Sequence, residues 1–244
     1  FPRTAHDLAP LSVALFPLVC HWLVALKPEV SADGLAMHAV VASRLASEHV
    51  WRFDVHQYLW AAMPLGGDLL YSIGWQLASE PGARLMNLAV LGLIVWILSE
   101  RLHARVPGWV SGLLMAAYLS TPLTQQATGS LHPANVEAVT LLGAALLLRV
   151  HVKERRGIYF YASCFLTGIA MTTALGSLAF AAALLVAAVI LVKFRHLVLG
   201  LPVALAVGGY PYFTAWIRTS NPVFPLFDAV FHSPMIAAQT RGID

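Results

Sequence analysis

The sequence predicts an all-α protein: a polytopic bundle of about seven transmembrane helices, with an amphipathic interfacial helix in its first outer loop. Three observations predict it. Hydrophobic residues make up 59% of the 244 and charged residues 11%, with a mean hydropathy of +0.72. A soluble domain carries about 25% charged residues, so this chain has too little polar surface to face water all round. The apolar residues gather into runs close to the length of about 20 residues that a bilayer crossing needs. The Lys and Arg residues between those runs fall on alternate connections, as the short cytoplasmic loops of a membrane protein do.

The spans follow in order. Leu8–Leu26 is the first and carries Pro10, Pro17 and His21. Arg84–Leu98, Trp109–Leu123 and Ala134–Leu148 come next. Gly157–Val192 then contains no charged side chain over 36 residues. As one helix it would extend about 54 Å, against a hydrocarbon core of about 30 Å, so it must fold back. Thr172–Gly176 is the expected turn, because hydroxyls and a glycine satisfy backbone groups that a broken helix leaves free. His196–Ile217 is the last crossing.

Loop charge sets the orientation. Glu100–Pro107, Arg149–Arg156 and Lys193–Arg195 hold eight of the fifteen Lys and Arg residues, and the connections Thr124–Pro133 and Thr172–Gly176 hold none. The first three connections are therefore placed in the cytoplasm. One membrane domain, 1–244, results: a non-cytoplasmic loop at 27–83, a helix bundle at 84–217 and a second non-cytoplasmic segment at 218–244. Within the first loop, Met37, Val40, Val41 and Leu45 recur at helical spacing among Asp33, His38, Arg44 and Glu48. That pattern suits a helix lying along the membrane surface, and Leu65–Leu77 suits a second. No inverted repeat of the transporter type is visible. The basic residues are scattered, which excludes a nucleic-acid surface. Cys20 and Cys164 lie in apolar runs and read as buried thiols rather than a disulfide. The start at Phe1 shows no signal peptide, and the polar end at Thr240–Asp244 leads us to expect further chain beyond it.

Six residues are candidates for chemistry. Asp33, at the start of the interfacial helix, is a general base for a hydroxyl or a metal ligand, or else a first-turn acid favoured by the helix dipole. His38 lies about 140° from Asp33 around an α-helix, so spacing alone does not pair them. His38, His49 and His56 lack the spacing of a zinc site. Glu137, near His132 and Asn135, is an ionisable residue inside a span, which marks function, or one close enough to the boundary to reach water. Arg218 ends the last crossing, where it grips a phosphate or anchors the helix against headgroups. Asn221 follows it in the run Asn221-Pro222-Val223-Phe224-Pro225.

Several segments resemble the N-terminal half of bacterial GT-C glycosyltransferases, multi-spanning enzymes that use polyprenyl-phosphate sugars and include protein O-mannosyltransferase and aminoarabinose-transferase relatives. Asp33-Gly34-Leu35-Ala36-Met37-His38 resembles the first-loop Asp with a His five residues later. Met63-Pro64-Leu65-Gly66-Gly67-Asp68-Leu69-Leu70-Tyr71 is similar to the family's "FPLGGELLY". Ser120-Thr121-Pro122 resembles its "STP", and Ser220-Asn221-Pro222-Val223-Phe224-Pro225-Leu226-Phe227 its "GNPVFPLF". The four occur in family order across essentially the whole chain. The resemblance implies that Asp33 is the catalytic carboxylate, deprotonating the acceptor or holding a divalent cation. It implies a substrate site that draws on His38, Asn135 or Glu137, Arg218 and Asn221, facing the periplasm from the bacterial inner membrane. Its partners would be a polyprenyl-phosphate sugar and membrane lipid. Two cations are missing: Thr173 stands where relatives have Lys, and Thr214 where they have Arg, with Arg218 placed one helical turn on to substitute. The alternative is a non-catalytic subunit descended from such an enzyme and packed among other membrane subunits.

Overall fold

Among the residues that the computed structural model describes, 9–51 and 58–233, every regular element is a helix. His56 and the chain ends, including the expected continuation at Thr240–Asp244, lie outside the described residues. The order is α1 (Ala9–Ala25), a π-helical turn (Gly34–His38) running into α2 (Ala39–Glu48), and a 3₁₀ turn (Leu59–Ala62). Then come α3 (Gly66–His103), α4 (Gly108–Leu119), α5 (Pro122–Gly129), α6 (Ala134–Glu154), α7 (Gly157–Thr173), α8 (Ser177–Leu191), α9 (Phe194–Gly208), α10 (Tyr210–Thr219) and the short α11 (Asp228–Phe231).

The breaks have local causes. In α3 the helix is interrupted at Ala78 (φ −153) and Ser79 (φ 54), just before Pro81. Pro81 has no N–H to give and its ring conflicts with the carbonyl four residues back. Gly74 and Gly82 let the two parts fold together, since a Cβ on Gly74 would lie 2.6 Å from Gly82 O. The anticipated helix at Leu65–Leu77 is the part before this break. The Thr172–Gly176 turn falls where length required it, between the ends of α7 and α8. Two expectations are corrected. The supposed outer loop after Leu123 is largely helical: Thr121 accepts the Thr124 N–H as an N-cap and Pro122 opens α5, the arrangement that favours a helix start. The last crossing is bent by 55° between α9 and α10, where Pro211 follows Gly208 and Gly209.

By length and composition, α3 and α6 are long and apolar enough to cross a membrane, and α9 with α10 makes a third if the bent pair is one span. That is fewer than the seven expected. The apolar stretches Ser12–Ala25, Gly108–Leu119 and Ser177–Leu191 fall short, because prolines and turns cut the hydrophobic runs. Phe16, Trp96, Ile190 and Phe194 are all more than 60% exposed, an exterior suited to lipid rather than water.

The chain forms two units, Phe1–His49 with Asp68–Asn135, and Val50–Gly67 with Val136–Asp244. In the first, α1 packs on α4 around Ala14, Leu91, Met115 and Leu119. In the second, α7 packs on α9. A Cβ on Gly168 would lie 2.8 Å from Ala204 O, and one on Gly208 would lie 2.8 Å from Gly168 O. The absence of side chains at both positions lets the two backbones touch.

Candidate functional site

The first unit places Asp33 at a built helix start. The Ser31 hydroxyl accepts the Gly34 N–H at 3.0 Å, the N-capping bond that satisfies an orphan donor. Ser31 is itself fixed by Glu29, whose Oε1 accepts its N–H at 2.8 Å and its hydroxyl at 2.7 Å. A Cβ at Gly34 would collide with the Glu29 carboxyl, so any larger residue after Asp33 would displace that carboxyl. Asp33 is left exposed.

His38 turns inward. Ala39 N–H bonds to Gly34 O, the i→i+5 pattern of a π turn, which recurs at functional sites and replaces the α-helical register from which the 140° separation was reckoned. The buried His38 places Nδ1 2.7 Å from Asp68 Oδ1. Asp68, in the first turn of α3, is wholly buried, and its Oδ2 has no hydrogen-bond partner among the described residues. One turn on, Tyr71 is buried too and donates its hydroxyl to His132 O at 3.2 Å. The His132 ring stands edge-on to His38 with centroids 5.4 Å apart. Burial and the neighbouring His38 push the His132 pKa below its ordinary value, and the Asp33 charge opposes them. Asp33, His132, His38 and Asp68 thus run as electrostatic neighbours from the surface into the interior of this unit.

A second polar network holds the scaffold around them. Buried Arg84 donates to Val24 O, Ala25 O and Gly129 O at 3.0, 3.2 and 2.9 Å, and to Glu29 Oε2 at 3.3 Å. It thereby satisfies carbonyls at the C-terminus of α1, which no intrahelical donor reaches. Glu29 Oε2 also accepts the Leu131 N–H at 2.6 Å, and Glu80 accepts the Glu29 N–H. Asn87 donates to Ala127 O and Ser130 O. Asn135 donates to Asn87 Oδ1 at 3.0 Å and Thr128 Oγ1 at 3.1 Å, so its amide is engaged within this unit.

Glu137, Arg218 and Asn221 belong to the second unit. Glu137 is half-buried on α6, with Oε1 3.7 Å from where a Gly176 Cβ would stand, and its charge acts on Tyr212. Arg218 is exposed in the last turn of α10. Asn221 is buried and shapes its own loop, donating to Leu226 O at 2.8 Å and accepting the Val223 N–H at 3.0 Å, the bonding of an Asx turn. Thr173 and Thr214, at the positions of the missing cations, bond to Ala170 O and Pro211 O.

As a metal ligand Asp33 lacks company: no group of three or more His, Cys, Asp or Glu side chains among the described residues is placed to hold a cation. Sequence reasoning missed Asp68, which it quoted only inside a motif, and the Glu29–Arg84 pair. A charged residue in a strongly apolar chain is a signal for both, since such residues are buried only when partnered. Comparison with known proteins finds no family model, curated protein or solved structure that matches the chain.

Proposed function

We propose that the chain is the membrane portion of a GT-C-type transferase, moving a sugar from a polyprenyl-phosphate donor to an acceptor hydroxyl on the non-cytoplasmic face of a bacterial inner membrane. The observation that carries the reading is the exposed Asp33 carboxylate at a capped helix start, with His132 beside it and the buried His38–Asp68 pair behind. In this reading Asp33 takes the acceptor proton as the acceptor oxygen bonds to the anomeric carbon and the donor phosphate departs with the electrons of the broken C–O bond. His132, whose surroundings favour the neutral ring, accepts a hydrogen bond from a second hydroxyl of the acceptor. His38, fixed by Asp68, positions it. The seven-span topology, with α1, α4, α7 and α8 crossing as short helices, belongs to the same reading.

The test is transfer from a polyprenyl-phosphate-linked hexose or pentose by the full-length protein in proteoliposomes, followed as release of polyprenyl phosphate. Asp33→Asn keeps size and hydrogen bonding but removes the proton acceptor, and a lost general base costs about 10² to 10⁴ in rate. Full activity in that variant would end the assignment. A second reading, a non-catalytic subunit, is favoured by the commitment of Asn135 and Asn221 to the scaffold. It requires Asp33→Asn to be silent and the wild type to be inactive while co-purifying with a larger membrane assembly.

A further inference from the structure

We infer that the second unit binds one anionic phospholipid of the cytoplasmic leaflet, its phosphate at the basic end of α6–α9 and one acyl chain in a groove along α7. The inference does not depend on the transferase reading.

The groove is a cavity of about 340 Å³ whose walls include Phe160, Cys164, Met171, Leu184, Ala188 and Leu201. Two hydroxyls also line it, but Ser163 donates to Ala144 O at 2.7 Å and Thr167 to Ser163 O at 2.9 Å. The groove therefore presents only apolar surface to an occupant. Along α7 its lining runs from Phe160 to Met171, about 17 Å at 1.5 Å per residue. That is close to half of a hydrocarbon core of about 30 Å, the depth of one leaflet.

Phe160, at one end, connects the groove to a cationic rim. Its ring lies 5.6 Å from His151 and 6.2 Å from Tyr161. His151 stands edge-on to His196 at 5.5 Å, and the Tyr161 hydroxyl meets His196 Nδ1 at 2.9 Å. The same end of these helices carries Arg149, Lys153, Arg155, Arg156, Lys193 and Arg195 against the single acid Glu154. None of the six forms an ion pair among the described residues.

A cytoplasmic charge bias accounts for the presence of cations there. It does not account for their placement at helix starts. The N-termini of α7 and α9 are neighbours, since a Cβ on Gly157 would lie 2.9 Å from His196 Cε1. Each has a cation, Arg156 or Lys193, at the N-cap, with no side-chain capping bond and no acid in its first turn. The positive end of a helix dipole ordinarily attracts acids and capping oxygens. Here cations are added to it, and a phosphate oxygen is the charge that satisfies both together. Basic pockets between helices on this side of a membrane hold anionic headgroups for the same reason.

The experiment is native mass spectrometry and thermal unfolding of the purified full chain in detergent, titrated with phosphatidylglycerol or phosphatidylcholine. One phosphatidylglycerol should bind per chain and raise the melting temperature saturably, with phosphatidylcholine far weaker. Arg156→Gln/Lys193→Gln/Arg195→Gln should weaken it about a hundredfold, given the worth of each cation near an anionic headgroup. Arg101→Gln/Arg105→Gln, cations of another basic loop, should leave it unchanged. Ala182→Phe fills the groove from an exposed wall position without entering the packed core, and should lower affinity for phosphatidylglycerol while the protein alone melts as before. Equal binding of the two lipids would show that headgroup charge is not recognised, equal loss from both sets of changes would reduce the effect to general surface charge, and either would overturn the site. Undiminished binding in Ala182→Phe would overturn the groove.

Discussion

The two units are held together by opposite means. The first buries charge and amide: Arg84 with Glu29, His38 with Asp68, and Asn87 with Asn135. Among its described residues the second fully buries no Asp, Glu, Lys or Arg, and it relies on close backbone approach at Gly168 and Gly208 and on the cluster of Leu148, Phe160, Ala188 and Ala204. Apolar packing tolerates substitution provided volume is kept, whereas a buried ion pair tolerates the loss of neither partner. A polar network fixes direction as well as distance, because each donor must meet its acceptor. The unit that carries Asp33 is therefore the one whose loops are tied at defined angles: Glu29 and Ser31 fix the residues on either side of it.

The sharpest way to break this contrast is Arg84→Met. It leaves Glu29 as a buried charge without its cation and removes a donor from three carbonyls, of which Val24 O keeps the Lys27 N–H, and should cost about 3 to 5 kcal/mol. Thermal unfolding in detergent measures it, and the loss should shrink when Glu29→Gln is present as well, because the stranded charge is then gone. A loss below about 1 kcal/mol would show that the pair behaves as a surface bridge, and the contrast would fail.

Gly168→Val probes the other unit. Its branched side chain has no room against the Ala204 carbonyl, and overpacking of this kind costs about 1 to 3 kcal/mol. Gly176→Ala is the matched control, with its nearest neighbour 3.7 Å away, and should stay within about 0.5 kcal/mol of wild type. Equal losses in both would mean that the Gly168–Gly208 approach contributes nothing particular.

The smallest effect is a pH dependence that His132 gives the first unit. The folded state holds the His132 pKa below its ordinary value, so folding favours the neutral ring. The stability this contributes is fully present above the unfolded value of about 6.5 and is lost as pH falls through the folded value. Melting temperatures taken from pH 8 down to pH 5 should decline more in wild type than in His132→Gln. Identical slopes would remove His132 from the account.

Composition and periodicity alone determined the helical class, the lipid-suited exterior and the turn between Thr173 and Ser177, because each follows from how many apolar residues stand in a row. The amphipathic helix from Ala39 was legible for the same reason. Single-residue geometry was not. Whether an apolar run is one straight span depends on where Pro81 and Pro211 fall against a neighbouring glycine, and so the runs yielded fewer full-length helices than their hydropathy suggested. His38 was legible as a candidate but its partner was not, since Asp68 lies 30 residues away and only packing brings α3 to the π turn. Asn135 and Asn221 carried the composition of a binding site, yet their amides are engaged by Thr128, Asn87 and Leu226. A sequence states which polar groups a chain must bury. Only the tertiary structure decides which of them satisfy one another and which, like Asp33, are left facing outward.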